Sequence, residues 1–227
     1  MSKLIFLPGW GYRASVMQPL ADCLGDEFAV ECQDLPQDFE RWLESIEQGS
    51  WLIGWSLGGM LAAQAAARLK ERCAGLILLG TNLSFVQSAK WQWAMPDADF
   101  QVFANSLQQA PQQCLRRFAM LCAQGASEPK ALNQLLRQHL LPAVSPQLAT
   151  ALQLLQQPDI SSSLRDYQGA KLMLFAQQDA LLPALSAEQV SRLYPQKVQV
   201  EQQAGSHAFV LEHAEQVAAI IRDWIKP

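Results

Sequence analysis

The fold is decided by the stretch WLIGWSLGG, which runs from Trp51 to Gly59. It joins an apolar run to an Ala-rich segment of high helix propensity, so it predicts a strand, a sharp turn and a helix. The residue at the centre of such a turn is strained, and the residues two positions before and after it must be small. Gly54 and Gly58 meet this demand around Ser56. The pattern is typical of a nucleophile elbow, which exposes a serine hydroxyl at the top of a sheet.

Short aliphatic runs alternate with longer amphipathic stretches on both sides of this turn. The runs that predict strands are Leu4–Leu7, Phe28–Val30, Trp51–Ile53, Leu76–Leu79, Leu172–Phe175 and Val198–Val200. Helix patterns fill residues 14–24, 38–48 and 57–70 between the first four runs. This alternation indicates an α/β fold with a mostly parallel central sheet flanked by helices.

Residues 85–163 interrupt the alternation. The strand signal disappears there, and helical stretches follow one another, punctuated by prolines. An all-helical insertion in such a protein is expected over the carboxyl ends of the strands, where parallel sheets bind their ligands. We therefore predict a core formed by residues 1–84 and 164–227, with a helical cap formed by residues 85–163.

A serine hydroxyl is a poor nucleophile until a base removes its proton, so Ser56 needs a histidine and an acid further along the chain. His207 follows the last predicted strand, in the sequence Gly-Ser-His-Ala-Phe. The other two histidines, His139 and His213, are interpreted as polar surface residues. Asp179 follows the preceding predicted strand. We expect it to accept the Nδ1 proton of His207 and to complete a catalytic triad.

Hydrolysis through a serine also needs two N–H donors for the oxyanion. The amide of Leu57, directly after Ser56, is one candidate. The other candidate lies in the sequence Leu-Pro-Gly-Trp-Gly after the first strand. We expect it to be the amide of Trp10, because glycines on both sides let the backbone approach a substrate closely.

Length and composition limit the alternatives. Half of the 227 residues are hydrophobic, which is enough for a large core, and the formal net charge of −4 argues against nucleic acid as the main partner. The five cysteines contain no CxxC pair, so they predict neither a metal site nor a disulfide framework. The amino-terminal apolar run is too short for a signal peptide, and no run has the length of a membrane span. We expect a cytoplasmic monomer that does not contact membranes.

These motifs resemble those of the α/β-hydrolase superfamily and, within it, the pimeloyl-acyl-carrier-protein methyl ester esterases of biotin biosynthesis. The resemblance covers essentially the whole chain. Besides the three motifs quoted above, it rests on the stretches Thr81–Phe85, Trp91–Pro96, Leu115–Phe118 and Leu121–Gly125. It implies hydrolysis of a methyl ester by Ser56 without a metal or organic cofactor, and a substrate surface formed by Trp10, Leu57 and Phe118. Pro8 departs from the pattern, because many α/β-hydrolases have a histidine before the glycine.

The charge distribution indicates the kind of partner. Residues 100–158 contain four bases and one acid, whereas the whole chain is acidic. A basic cap on an acidic body would attract an acidic carrier protein that bears the acyl substrate. The candidate contacts are Arg116, Arg117, Lys130 and Arg137.

Two other functions are compatible with the sequence. A small-molecule carboxylesterase or thioesterase with a different acyl preference would have the same triad, because the cap lining decides selectivity and the sequence does not show that lining. A non-catalytic ligand receptor on the same fold is the second. Such receptors usually lack a member of the triad, and here all three are present in order.

Overall fold

The computed structural model describes residues 2–156, 159–182, 186–194 and 198–226. Within these residues, six parallel strands form one open sheet in the order β2-β1-β3-β4-β5-β6. The strands are β1 (Lys3–Leu7), β2 (Ala29–Cys32), β3 (Ser50–Trp55), β4 (Cys73–Leu79), β5 (Ala170–Ala176) and β6 (Gln199–Gln203). Each predicted run overlaps one of them, and the predicted parallel sheet is confirmed.

Helices connect the strands and flank the sheet. They are α1 (Gln18–Asp22), α2 (Phe39–Ser45), α3 (Leu57–Leu69), α9 (Ser186–Leu193), α10 (Phe209–Glu212) and α11 (Ala214–Ile225). The predicted helix over residues 14–24 is divided into a 3₁₀ turn at Ala14–Met17 and the short helix α1. Pro19 explains the late start of α1, because a residue without an N–H is tolerated only in the first turn of a helix.

The loops that follow β1, β3 and β4 meet at the centre of the sheet. β3 lies between β1 and β4, and all of its residues are buried. The register pairs Leu7 of β1 with Gly54, and Trp55 with Leu79 of β4. Because the strands are parallel, their carboxyl ends meet at one edge of the sheet, where ligands of such sheets bind.

The chain between β4 and β5 contains helices and no strand of the sheet in residues 80–156 and 159–169. The helices are α4 (Asp97–Gln109), α5 (Pro111–Ala123), α6 (Pro129–Gln138), α7 (Pro146–Gln156) and α8 (Ser161–Asp166). Prolines open α5, α6 and α7, where a missing N–H costs nothing. Residues 85–96 are not helical and contain only isolated β-bridges. α8 continues past the predicted domain boundary at residue 163 and packs against α3.

The loop after β1 is attached to the turn between α6 and α7. The amide of Arg13 donates to the carbonyl of His139 (2.9 Å), and the amide of Leu141 donates to the carbonyl of Gly11 (2.8 Å). The hydroxyl of Ser15 lies 2.9 Å from Nδ1 of His139. His139, which was expected at the surface, is therefore half-buried in a contact between distant segments.

No helix among the described residues combines the length and the apolar character needed to cross a bilayer.

The packing of β4 on β3 depends on a glycine, which gives a stability prediction. A Cβ atom on Gly75 would lie 2.1 Å from the ring of Trp51, so Gly75→Ala forces this ring out of place. We expect the free energy of unfolding in urea to fall by about 1–3 kcal/mol. Ala74→Ser, at an exposed position of the same strand, should change it by less than about 0.5 kcal/mol. Equal stability of the two variants would contradict this account of the packing.

Candidate active site

Ser56 joins β3 to α3 through a strained turn. Its backbone has φ 55° and ψ −118°, outside the regions that residues with a side chain favour. The amide of Ser56 donates to the carbonyl of Leu79 (2.8 Å), and Oγ1 of Thr81 donates to the carbonyl of Ser56 (3.2 Å). Such strain persists only where neighbouring contacts enforce it, and it is concentrated at functional sites.

Two glycines have no room for a side chain beside this turn. A Cβ atom on Gly54 would lie 2.3 Å from the backbone of Gly58. A Cβ atom on Gly58 would lie 2.5 Å from the carbonyl oxygens of Leu7 and Pro8. All of these neighbours are backbone atoms, which cannot move aside as a flexible side chain can. The need for small residues that the sequence indicated therefore has a direct steric cause.

His207 and Asp179 form a buried pair. Nδ1 of His207 lies 2.7 Å from Oδ2 of Asp179, and the two side chains are 1% and 4% exposed. The other carboxylate oxygen, Oδ1, accepts the amides of Leu181 (2.8 Å) and Leu182 (3.0 Å). These amides orient the carboxylate so that Oδ2 faces the imidazole. A carboxylate that accepts the Nδ1 proton leaves Nε2 as the nitrogen that can take up a proton.

The second ring nitrogen of His207 has no hydrogen-bond partner in the described part of the chain, although it is buried. An unpaired polar atom in a buried position is uncommon and calls for an explanation. The indole Nε1 of Trp55, the residue before Ser56, donates to the carbonyl of His207 (2.9 Å). The Trp55 and His207 rings lie 5.6 Å apart. The turn at Ser56 and the imidazole are therefore adjacent, and the imidazole has a free acceptor.

The loops that carry the acid and the histidine are hydrogen-bonded to each other. The amide of Gln178 donates to the carbonyl of Gly205 (3.1 Å), and the amide of Gly205 donates to Oε1 of Gln178 (2.7 Å). Gly125, after α5, packs against the same segment, since a Cβ atom there would lie 2.2 Å from the carbonyl oxygen of Gln178. The His207–Asp179 pair is thus supported by backbone contacts on two sides.

The two predicted oxyanion donors are buried, and their amides donate to no acceptor among the described residues. Leu57 opens α3, where the free N–H groups and the helix dipole favour negative charge. Trp10 follows Gly9, whose Cβ atom would lie 3.3 Å from Cβ of Ser56. The loop after β1 therefore passes directly beside Ser56, as an oxyanion-binding loop must.

A cavity of about 230 Å³ adjoins these residues. The ring of Phe118, which faces it, packs edge-on against the ring of Trp10 at 4.9 Å, and Leu181 of the acid loop forms another part of its wall. The polar groups at the wall come from Asp99, Ser106 and Arg117. The remaining lining residues are Phe85, Met95, Val102, Phe103, Cys114 and Leu121.

The four basic candidates for carrier contact are all exposed. Arg116 and Arg117 lie on α5, while Lys130 and Arg137 lie on α6. None of them forms an ion pair with a carboxylate in the described ranges. Only Arg117 lines the cavity.

Several residues around the site were given no individual role by the sequence. Trp55 contacts the histidine loop, Thr81 holds the carbonyl of Ser56, and Phe103 packs on Trp10 (4.9 Å between ring centroids). Thr81 carries a weak sequence signal, because it lies two residues after the predicted strand Leu76–Leu79. Phe103 carries none, since an aromatic residue on a predicted helix is normally assigned to a core.

Comparison with known proteins gives a consistent result. The alpha/beta hydrolase family matches the chain over residues 4–220. The chain is 35% identical to the biotin biosynthesis bifunctional protein BioHC of Cellvibrio japonicus, and the match covers 97% of the chain. The chain spans only 47%, about half, of the length of that relative. It is 30% identical to the pimeloyl-[acyl-carrier protein] methyl ester esterase of Photobacterium profundum, over 99% of the chain and 95% of the relative.

Solved structures also resemble the chain. The esterase EaEST of Exiguobacterium antarcticum superimposes with a TM-score of 0.83 at 18% sequence identity, covering 100% of the chain and 92% of that structure. At this level of identity the likeness shows a common fold.

The strained turn gives a second stability prediction. Glycine tolerates the backbone conformation of Ser56 and alanine does not, so Ser56→Gly should be more stable than Ser56→Ala by about 1 kcal/mol, despite the entropy cost of glycine. Urea unfolding of the two variants measures the difference directly. A Ser56→Ala variant as stable as Ser56→Gly would mean that the turn stores no strain.

Proposed function

This chain belongs to the alpha/beta hydrolase family, and from that premise we propose that Ser56, His207 and Asp179 form the catalytic triad of a serine carboxylic ester hydrolase. The observation that carries the proposal is the buried His207–Asp179 pair, which leaves Nε2 of His207 without a partner in the described part of the chain. Trp55, the residue before Ser56, donates to the carbonyl of His207 and so ties the histidine loop to the strained turn. No hydrogen bond joins Nε2 to the serine among the described residues. Catalytic hydrogen bonds often form only once the substrate is bound.

The reaction follows from these positions. Oγ of Ser56 attacks the ester carbonyl carbon, and Nε2 of His207 takes up the hydroxyl proton. The oxyanion of the tetrahedral intermediate accepts hydrogen bonds from the amides of Trp10 and Leu57. The intermediate collapses, the alkoxide takes the proton from His207 and leaves as an alcohol, and an acyl-serine remains. Water, deprotonated by His207, then releases the carboxylic acid and restores the serine.

Asp179 has an electrostatic role in this scheme. It accepts the Nδ1 proton of His207 in a hydrogen bond and stabilises the imidazolium that forms when His207 takes the serine proton. The amides of Leu181 and Leu182 already orient its carboxylate, so no rearrangement is needed during the reaction. Burial of the pair strengthens this interaction, because little water screens it.

We propose that the substrate is pimeloyl-[acyl-carrier protein] methyl ester, which yields the free pimeloyl carrier conjugate and methanol in biotin biosynthesis. The Photobacterium profundum relative, of which the chain covers 95%, is a pimeloyl-[acyl-carrier protein] methyl ester esterase by name, and this supports the assignment. The cavity lined by Phe118 and Leu181 supports it as well, because its mainly aromatic and aliphatic lining suits a hydrocarbon chain. Phe118 would contact that chain together with Trp10.

We propose that residues 85–163 act as a cap over this cavity and present the docking surface for the carrier protein. The cap side of the cavity is formed by α4 and α5. Four of its exposed bases, Arg116, Arg117, Lys130 and Arg137, lack carboxylate partners among the described residues, so they remain available to an acidic partner. Arg117 lies where the cavity and this basic surface meet.

We also propose that the protein acts in the cytoplasm as a monomer. All five cysteines are free, which suits the reducing conditions of the cytoplasm. One chain supplies the triad and both oxyanion donors, so a monomer suffices for catalysis.

The triad predicts that Ser56→Ala abolishes hydrolysis. With the substrate methyl ester on its carrier, kcat should fall by at least about 10⁴-fold, because triad members act as a unit. Mass spectrometry of the carrier conjugate measures the loss of the methyl group, and a fluorophosphonate probe should label the wild type but not the variant. Ser45→Ala, at an exposed position on α2, is the matched control and should behave as wild type.

Complementation tests the biological substrate. Wild type, but not Ser56→Ala, should restore growth without biotin to an auxotroph that lacks its pimeloyl methyl ester esterase. Failure of a well-expressed protein that still hydrolyses simple esters would favour the small-molecule carboxylesterase or thioesterase. Absence of both probe labelling and hydrolysis would favour a ligand receptor.

The basic surface predicts a charge effect that is specific for the carrier. Arg116→Glu with Arg117→Glu should lower kcat/KM for the carrier-bound ester by about tenfold or more at low salt, because attraction becomes repulsion. The hydrolysis of p-nitrophenyl butyrate should change much less. Arg68→Glu on α3, an exposed base outside the cap, is the control. An equal loss on both substrates would contradict a docking role and point to damage in the cavity.

A further inference from the structure

A second buried carboxylate lies close to His207. Glu212 ends the short helix α10, and its side chain is only 7% exposed. Its Oε2 accepts the amide (3.1 Å) and the hydroxyl (3.3 Å) of Ser206. Its Oε1 accepts the amide (2.7 Å) and the hydroxyl (3.1 Å) of Ser127. One side chain therefore binds two segments that are far apart in the sequence.

Glu212 is held as a carboxylate. Burial raises the pKa of Glu212, whereas the hydrogen bonds from Ser127 and Ser206 and the nearby His213 lower it. The lowering effects together outweigh burial, so the pKa lies below its usual value. Nε2 of His213 lies 3.6 Å from Oε1. All four close partners donate protons, and only two oxygens without a proton can accept from all of them.

On one side, Glu212 determines the course of the chain around the histidine. Ser206 precedes His207, is fully buried, and accepts the amide of Ala208 (3.3 Å) at its hydroxyl. The hydroxyl of Ser206 thus connects the residues on both sides of His207, and Glu212 holds that hydroxyl in place. Gly205 has φ 108°, and a Cβ atom there would lie 2.8 Å from Oε2 of Glu212.

On the other side, Glu212 reaches the insertion between β4 and β5. Ser127 lies in the turn between α5 and α6, and α5 carries Phe118 on the cavity wall. A second contact reinforces the first, because the amide of Ala208 donates to the carbonyl of Cys122 near the end of α5 (3.1 Å). The histidine loop and the helix that carries part of the cavity wall are therefore joined by two sets of hydrogen bonds.

We propose that Glu212 is a positioning residue. It holds the backbone from Ser206 to Ala208 so that Nδ1 of His207 meets Asp179 and Nε2 is left free to accept the proton of Ser56. Through Ser127 it fixes the same loop against the wall that binds the acyl chain. The inference rests on the proposed function, since it assumes that His207 is the general base.

The test is Glu212→Gln, which preserves shape but replaces an acceptor oxygen by an NH₂ group that faces donors. With p-nitrophenyl butyrate, kcat should fall by about 10- to 100-fold, because a small displacement of a catalytic group has this effect, while KM stays within about twofold. In proton NMR, the downfield signal of the His207 Nδ1 proton bound to Asp179 should weaken or shift. His207→Gln assigns that signal, and the measurement does not depend on activity.

Two further variants keep the test decisive. Glu40→Gln, an exposed glutamate paired with Arg68 on the surface, is the matched control and should change nothing. Ser206→Ala removes only the hydroxyl contacts of Ser206 and therefore remains informative if Glu212→Gln fails to fold. The kcat of this variant should fall by about two- to tenfold.

The outcomes are distinct. Wild-type kcat and an unchanged Nδ1 signal in Glu212→Gln would overturn the inference. The inference would also be overturned if kcat fell only in proportion to a lower melting temperature while the Nδ1 signal stayed intact. Glu212 would then be a stabilising residue and not a positioning one. If the wild type neither hydrolyses esters nor binds the fluorophosphonate probe, but the signal depends on Glu212, the proposed function fails and the positioning role stands.

Discussion

The backbone of Gly54 touches the backbone of Gly58, and much of the structure depends on this contact. It is possible only because neither residue has a side chain, and it lets α3 begin directly after β3. The turn leaves Ser56 with a positive φ, a conformation that the packing of Gly58 on Leu7 and Pro8 enforces. Backbone strain of this kind costs about 1–3 kcal/mol, and the buried sheet around β3 supplies the stability that tolerates it.

The position of β3 at the centre of a parallel sheet explains why the remaining groups converge. The loops after β1, β3, β4 and β5 begin at the same edge, so the residues that follow these strands are close in space although they are distant in sequence. Trp10 follows β1, Ser56 follows β3 and Asp179 follows β5. Hydrogen bonds between loops then set the finer geometry, as between Gln178 and Gly205.

Several polar groups of the site are left unpaired. The amides of Trp10 and Leu57 and the Nε2 atom of His207 have no partner among the described residues, while both oxygens of Asp179 are occupied. An unsatisfied buried group costs about 1–3 kcal/mol, so such groups are rarely retained without a use. Under the proposed function, two of them donate to the oxyanion and the third accepts the serine proton. The substrate would thus complete hydrogen bonds that the protein alone leaves open.

The parallel α/β architecture and the candidate residues Ser56, Asp179 and His207 could be predicted from the amino-acid sequence alone. Strand and helix periodicity is local, and the spacing of Gly54 and Gly58 around Ser56 reflects a clash within a few residues. Three other features became visible only in the folded protein: Glu212 binds Ser127, His139 contacts Ser15, and Arg117 but not Arg116 lines the cavity. These contacts join segments far apart in the chain, or depend on how a helix is rotated against its neighbours. No local propensity encodes them, because their energies arise only when the loops and helices pack together.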